Sequence, residues 1–172
     1  MYRFLEYTLL FVIVVLLQIF LFNNLNLSVY VNPLVYIAFV VMLPMEINRA
    51  ALLLLGFLLG GVMDMIMGTA GINTIATLAT AFLRPSVLTL TAGKEDVMGG
   101  GVPCIGRLGR KKYLRYLLVL ILLQCFIFFT FESLTWSYYY LTLVRIVLST
   151  LVTALLIYFF QFLFVIKGTA KN

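Results

Sequence analysis

The sequence predicts an all-α polytopic membrane protein, a bundle of about six transmembrane helices with both termini cytoplasmic. Three observations carry that prediction. Of 172 residues, 64% are hydrophobic and only 10% are charged. The apolar residues gather in runs of roughly 20, the length that crosses about 30 Å of hydrocarbon as a helix bonding its own backbone. Strand-period alternation, the mark of a membrane barrel, is absent.

The first run, Phe4 to Phe22, follows Arg3 and resembles a secretory signal, but its apolar core is long and ends in Phe22-Asn23-Asn24-Leu25 without a small-residue cleavage site, so it is expected to stay on the protein. The second, Val29 to Glu46, is shortened by Pro44 and Glu46, which predicts a tilted helix or a tight hairpin into the third. The third, Ala50 to Met67, and the fourth, Gly71 to Leu90, are separated by a few small residues. A basic stretch, 91–113, leads to the fifth run, Leu114 to Phe131, and the sixth, Tyr139 to Ile166. These runs take up most of a single integral membrane domain, 1–172, and leave no length for a soluble one.

Lys and Arg collect at alternate ends of the runs: Arg3, Arg49, the cluster Arg84 to Arg115, and Lys167 with Lys171. Short loops rich in these residues stay cytoplasmic, which sets the orientation. Tyr30, Tyr36, Trp136, Tyr138 to Tyr140, Tyr113 and Tyr116 fit aromatic belts at the two interfaces. The net charge of +6 comes chiefly from the 91–113 loop. Beside a membrane span such a cluster reads as orientation plus attraction to anionic lipid, not nucleic acid. Its GKEDVMGGG stretch lacks phosphate-loop spacing and reads as a flexible connection.

Chemistry is poorly provided for. There is no histidine, and Cys104 and Cys125 lie far apart in sequence, so zinc or haem has no ligand set, no cofactor is expected, and both thiols are expected to be free. No nucleophile has a recognisable base, so the chain is not expected to be an enzyme. What remains is intramembrane polarity. Asp64 sits within the apolar stretch Gly56 to Pro85, where a charge costs roughly 2.5–3.5 kcal/mol and therefore faces protein. Gly56, Gly60, Asp64 and Gly68 recur every fourth residue, a stripe that lets a neighbouring backbone approach. Run order puts Asp64 at a depth similar to that of Arg145, making these two an ion-pair candidate, with Glu132 a second acid for Arg145 and Asn73 and Thr74 at the same level. Arg145 shares a helical stripe with Thr142, Ser149 and Thr153, the face of the sixth run expected to pack on protein.

Gly56-Phe-Leu-Leu-Gly60-Gly-Val-Met-Asp64, then Gly68-Thr-Ala-Gly71-Ile-Asn73, then Ala81-Phe-Leu-Arg84-Pro85 resembles the rod shape-determining protein MreD family. The resemblance implies a non-catalytic inner-membrane subunit of the bacterial elongation machinery. Its implied partners are the transmembrane segment of MreC and, through the complex, MreB, RodA and a class B penicillin-binding protein. Gly56, Gly60, Asp64, Gly68, Gly71, Asn73 and Arg84 are the motif positions, of fold or of partner interface. The alternative is a substrate-capturing subunit similar to the vitamin-binding components of energy-coupling-factor transporters, also six-span bundles. Such a subunit needs convergent polar groups at its outer face, which here means Asp64, Asn73, Glu132 and Arg145. A proton-coupled carrier using Asp64 is weaker still, because no second acid lies clearly within the membrane.

Overall fold

The structure is a computed structural model that describes residues 2–22, 32–133 and 139–168, all helical or irregular, with no strand among them. Four helices there are long and apolar enough to cross a membrane: α3 (Arg49–Met67), α4 (Ile72–Ala92), α7 (Arg110–Ser133) and α8 (Tyr139–Gly168). α1 (Tyr2–Leu17) continues as a π-helical stretch, Gln18–Phe22. The wall of the bundle is built in chain order, α3 on α4, α4 on α7 and α7 on α8, while α1 packs on the central segment between α1 and α3.

That central segment corrects the expectation of a second spanning helix. After an irregular stretch at 32–34 come one 3-10 turn, Val35–Ile37, and a five-residue helix, α2 (Ala38–Met42). Val29 and Tyr30 lie outside the described residues. Two prolines shorten the element. Pro44 pushes Leu43 into extended backbone at ψ 150°, because the proline ring disfavours the helical region for the residue before it. Pro33 stands at the other end. Every residue from Leu34 to Leu43 is at most 7% exposed, so the segment is a strut through the middle of the bundle and shows no face to lipid. A helix apolar on all sides fits that place.

The basic stretch is not a flexible connection either. α5 (Lys94–Met98) and α6 (Ile105–Leu108) fold within it, and α7 begins as early as Arg110. The Met45 N–H donates to the Gly101 carbonyl at 2.8 Å, the Gly101 N–H to Glu46 Oε1 at 3.0 Å, and Gln161 Nε2 to the Pro103 carbonyl at 3.2 Å. Three points therefore tie the loop to the turn that follows the strut and to α8. Arg107, Arg110, Lys111, Lys112 and Arg115 remain exposed and mark this as the basic end of the molecule.

The aromatic belts need correction too. Tyr36, Tyr113 and Tyr116 are fully buried, whereas Tyr140 is 63% exposed; Tyr30, Trp136 and Tyr138 lie outside the described residues. Both cysteines are free, Cys125 buried and Cys104 partly so.

Candidate functional site

The motif residues meet in the α3–α4 hairpin. Gly68 caps α3 at φ 65° and Gly71 precedes α4 at φ 87°, left-handed conformations that L side chains resist. Added methyls would meet nothing within 4 Å at either, so here glycine is required by the turn and not by a neighbour. Gly68 thus leaves the proposed stripe. Gly56 and Gly60 stay on it and face α4: a Cβ at Gly56 would lie 3.0 Å from the Ala81 Cβ, and one at Gly60 only 2.5 Å from the Thr74 Cα. The stripe is consumed inside the chain.

That close approach delivers the start of α4 to Asp64. Oδ1 accepts from the Asn73 N–H at 2.9 Å, Asn73 Nδ2 at 3.1 Å and Thr69 Oγ1 at 2.5 Å. Oδ2 accepts from the Thr74 N–H at 2.8 Å and Thr74 Oγ1 at 2.5 Å. The first N–H groups of a helix have no intrahelical acceptor, and the helix dipole favours an anion there. Asp64, 8% exposed, supplies that anion from the preceding helix, and five donors offset the burial of its charge.

From Asp64 a chain of hydrogen bonds crosses the interior. Tyr36 Oη donates to Asn73 Oδ1 at 2.8 Å, and Gln124 Nε2 donates to Tyr36 Oη at 2.8 Å. Gln124 Nε2 also reaches Thr77 Oγ1 at 3.3 Å, while Thr80 Oγ1 donates to Gln124 Oε1 at 2.8 Å. Along the line from Thr80 through Gln124, Tyr36 and Asn73 each donor points toward the carboxylate, with Thr77 a side branch, so the strut, α4 and α7 are braced on one negative charge. Two amide links interrupt the chain. An amide nitrogen donates but has no lone pair free to take a proton, so the arrangement braces the bundle and does not conduct protons.

The same logic explains the polar residues along the strut. Its irregular backbone cannot satisfy itself, and such backbone survives at membrane depth only where protein supplies partners. Gln18 takes the Val35 and Tyr36 N–H groups on Oε1, at 2.7 and 3.3 Å, and donates Nε2 to the Pro33 carbonyl at 3.0 Å. Ser149 and Thr153 accept the Asn32 and Leu34 N–H groups at 3.1 and 3.2 Å. At the other end Arg84, 1% exposed, donates to the Leu43 carbonyl, to the Pro44 carbonyl at 3.3 Å and to Tyr116 Oη at 3.0 Å; Tyr116 in turn donates to the Val41 carbonyl at 3.2 Å. Arg84 therefore does not belong with the exposed basic cluster. Gln18, Gln124, Tyr36 and Tyr116 were not singled out as site residues from the sequence, although a lone glutamine in the middle of an apolar run is the signal that marks two of them.

The expected Asp64–Arg145 pair does not form. Arg145 Nη2 lies 3.4 Å from Glu132 Oε2, the second acid considered for it, and its guanidinium stacks over the Phe129 ring at 5.0 Å. Asp64 is occupied by donors five, nine and ten residues further along the chain. We expect an Asp64/Arg145 double-mutant cycle, read by detergent-solubilised unfolding, to show coupling below about 0.5 kcal/mol, as for sites with no shared partner. A Thr74/Asp64 cycle should show about 0.5–3 kcal/mol. Strong Asp64–Arg145 coupling would contradict the geometry. The α8 stripe does pack on protein: Thr142, Ser149 and Thr153 are buried.

Comparison with family models, with curated proteins and with solved structures gives no match.

Proposed function

We propose that the chain is a non-catalytic inner-membrane subunit of the bacterial cell-elongation complex, of the MreD kind. In this reading it binds the transmembrane segment of MreC and links it to peptidoglycan synthesis by RodA and a class B penicillin-binding protein, with MreB on the cytoplasmic side. Both termini are then cytoplasmic, on the side of the exposed basic residues.

One observation carries the reading. Gly56, Gly60, Asp64, Gly68, Gly71 and Asn73, which carry the resemblance, close one hairpin, and Arg84 anchors the strut beside it. They are engaged with each other and with the backbone, which suits a rigid body presented to other spanning helices. A vitamin-capturing subunit would instead need these outer-side polar groups turned toward a ligand. Asp64 and Asn73 hold one another at 3.1 Å, and Glu132 and Arg145 form a pair of their own.

Depletion of the protein in a rod-shaped bacterium that makes it should give rounded cells, with rod form restored by the native sequence and not by Gly60→Leu. Normal shape accompanied by a nutrient requirement would replace this reading with transport.

A further inference from the structure

Residues 94–108 stand between two glycines whose backbone other residues avoid. Gly93, at the end of α4, has φ 97° and ψ 153°, and Gly109, just before α7, has φ 78° and ψ 152°, a region that is nearly glycine's alone. A Cβ at either would meet nothing within 4 Å, so neither glycine is there to admit a neighbour. Both are placed as hinges. What lies between them is held as one piece, because Arg107 of α6 donates to the Gly99 carbonyl at the end of α5. The two short helices form a cap on the basic end.

The cap is fastened largely by polar contacts near solvent. The exposed Glu46 side chain accepts from the Gly101 N–H at 3.0 Å and occupies the space that a Cβ on Gly100 would need, while the Met45 N–H donates to the Gly101 carbonyl at 2.8 Å. Lys112 Nζ lies 2.7 Å from Asp96 Oδ2, but the two side chains are 51% and 36% exposed, and ion pairs so exposed hold little. The buried side is poorly matched. Gln161 Nε2 donates to the Pro103 carbonyl at 3.2 Å, yet Gln161 Oε1 has no partner, and neither has the hydroxyl of Tyr113, which feels the Cys104 thiol of the cap electrostatically. Both side chains are at most 1% exposed. A buried polar atom left unpaired favours any arrangement in which water reaches it, and this opposes the apolar burial of Leu108, Val97 and Ile105 that closes the cap.

We infer that this cap opens on Gly93 and Gly109 while the helical wall stays folded, wetting Tyr113 and Gln161 and freeing the turn that follows the strut. Segments with few buried apolar contacts and solvent-exposed hydrogen bonds are the ones that open below the free energy of global unfolding. The consequence reaches inward. In the open state the turn at 45–46 has lost both bonds to Gly101 and is held only through Arg84 on the Leu43 and Pro44 carbonyls just before it. Glu46 is therefore a latch, and the cap gives the basic end of the molecule a route to the strut.

The chain carries two probes of its own, Cys104 on the cap and Cys125 buried in α7. Labelling of the full chain by N-ethylmaleimide in mild detergent, followed by mass spectrometry and scaled to each thiol's rate in denaturant, times the opening of the cap at the first and of the bundle at the second. In the wild type Cys104 should label well ahead of Cys125 and well below its rate in denaturant. Glu46→Ala removes the latch and should speed Cys104 about fivefold or more, with Cys125 unchanged. Tyr113→Phe removes the unpaired hydroxyl and should slow Cys104 by about the same factor, the opposite sign from the loss of a hydrogen bond that closure makes. Amide exchange at Met45 should follow Cys104 in all three proteins. Labelling of Cys104 no faster than Cys125, labelling at the denatured rate, or a Tyr113→Phe protein that labels as fast as the wild type would each overturn the proposal. Should Tyr113→Phe not fold, Met45 decides: exchange there that Glu46→Ala leaves unchanged sinks the cap. These rates are read on purified protein and stand or fall apart from any role in cell shape.

Discussion

Gly60→Leu should abolish the folded protein or nearly so. Its Cβ would arrive 2.5 Å from the Thr74 Cα, 2.9 Å from the Thr74 nitrogen and 2.9 Å from the Asn73 carbonyl oxygen, all backbone atoms that cannot rotate away. Overpacking ordinarily costs about 1–3 kcal/mol when side chains can adjust. Here α3 and α4 have to separate, and separation withdraws the Asn73 and Thr74 N–H groups from Asp64, leaving a carboxylate without its donors. The expected loss therefore lies at or beyond the top of that range. Neighbouring positions provide the internal scale. A Cβ at Gly56 would press on the Ala81 methyl at 3.0 Å and should cost an intermediate amount as Gly56→Ala. At Gly61 the nearest atom is Thr74 Oγ1 at 4.0 Å, so Gly61→Ala should be neutral or gain up to about 1 kcal/mol of helix propensity. The order Gly61, Gly56, Gly60 is checked by unfolding midpoints in detergent micelles. A Gly60→Leu protein as stable as the wild type would refute the hairpin geometry.

Much of this architecture was legible in the sequence, and the rest was hidden for identifiable reasons. The α3–α4 turn was foreshadowed by its small residues, because left-handed backbone selects glycine whatever surrounds it. The protein-facing stripe of α8 was legible from the spacing of Thr142, Ser149 and Thr153, since polar side chains in lipid are expensive unless covered. The strut was not. Val35 to Leu43 is apolar throughout, and hydrophobicity alone does not separate a segment bathed in lipid from one enclosed by protein. The partner of Asp64 was misjudged because counting along spans gives depth and says nothing about which way a helix is turned. The donors were local, in the turn and at the start of the next helix. Tyr113 and Tyr116 look like interface aromatics for the same reason: sequence places them near a span end, but only packing shows Tyr116 wedged between Arg84 and the strut backbone.

Arg84 is the case in which that blindness matters most, since a count of basic residues assigns it to the cytoplasmic surface and the fold puts it inside. Burying an arginine in apolar surroundings costs roughly 2.5–3.5 kcal/mol on insertion scales. Replacing it with methionine would therefore be expected to stabilise the bundle if its hydrogen bonds counted for little. They are three, to the Leu43 and Pro44 carbonyls and to Tyr116 Oη, each to a charged donor and so worth about 1.5–3 kcal/mol. Their sum exceeds the burial cost even at the low end, and the two carbonyls, at the point where Pro44 ends α2, have no helical donor to return to. Arg84→Met should consequently destabilise by about 2 kcal/mol or more. Arg84→Lys should recover only part, because an ammonium presents no planar fork to acceptors spread over two elements. The loss should be local before it is global: amide hydrogen exchange across residues 38–46 should accelerate in Arg84→Met, with α7 and α8 little changed. If Arg84→Met unfolds later than the wild type, the guanidinium is a burden the bundle tolerates, and the strut is held by its apolar packing alone.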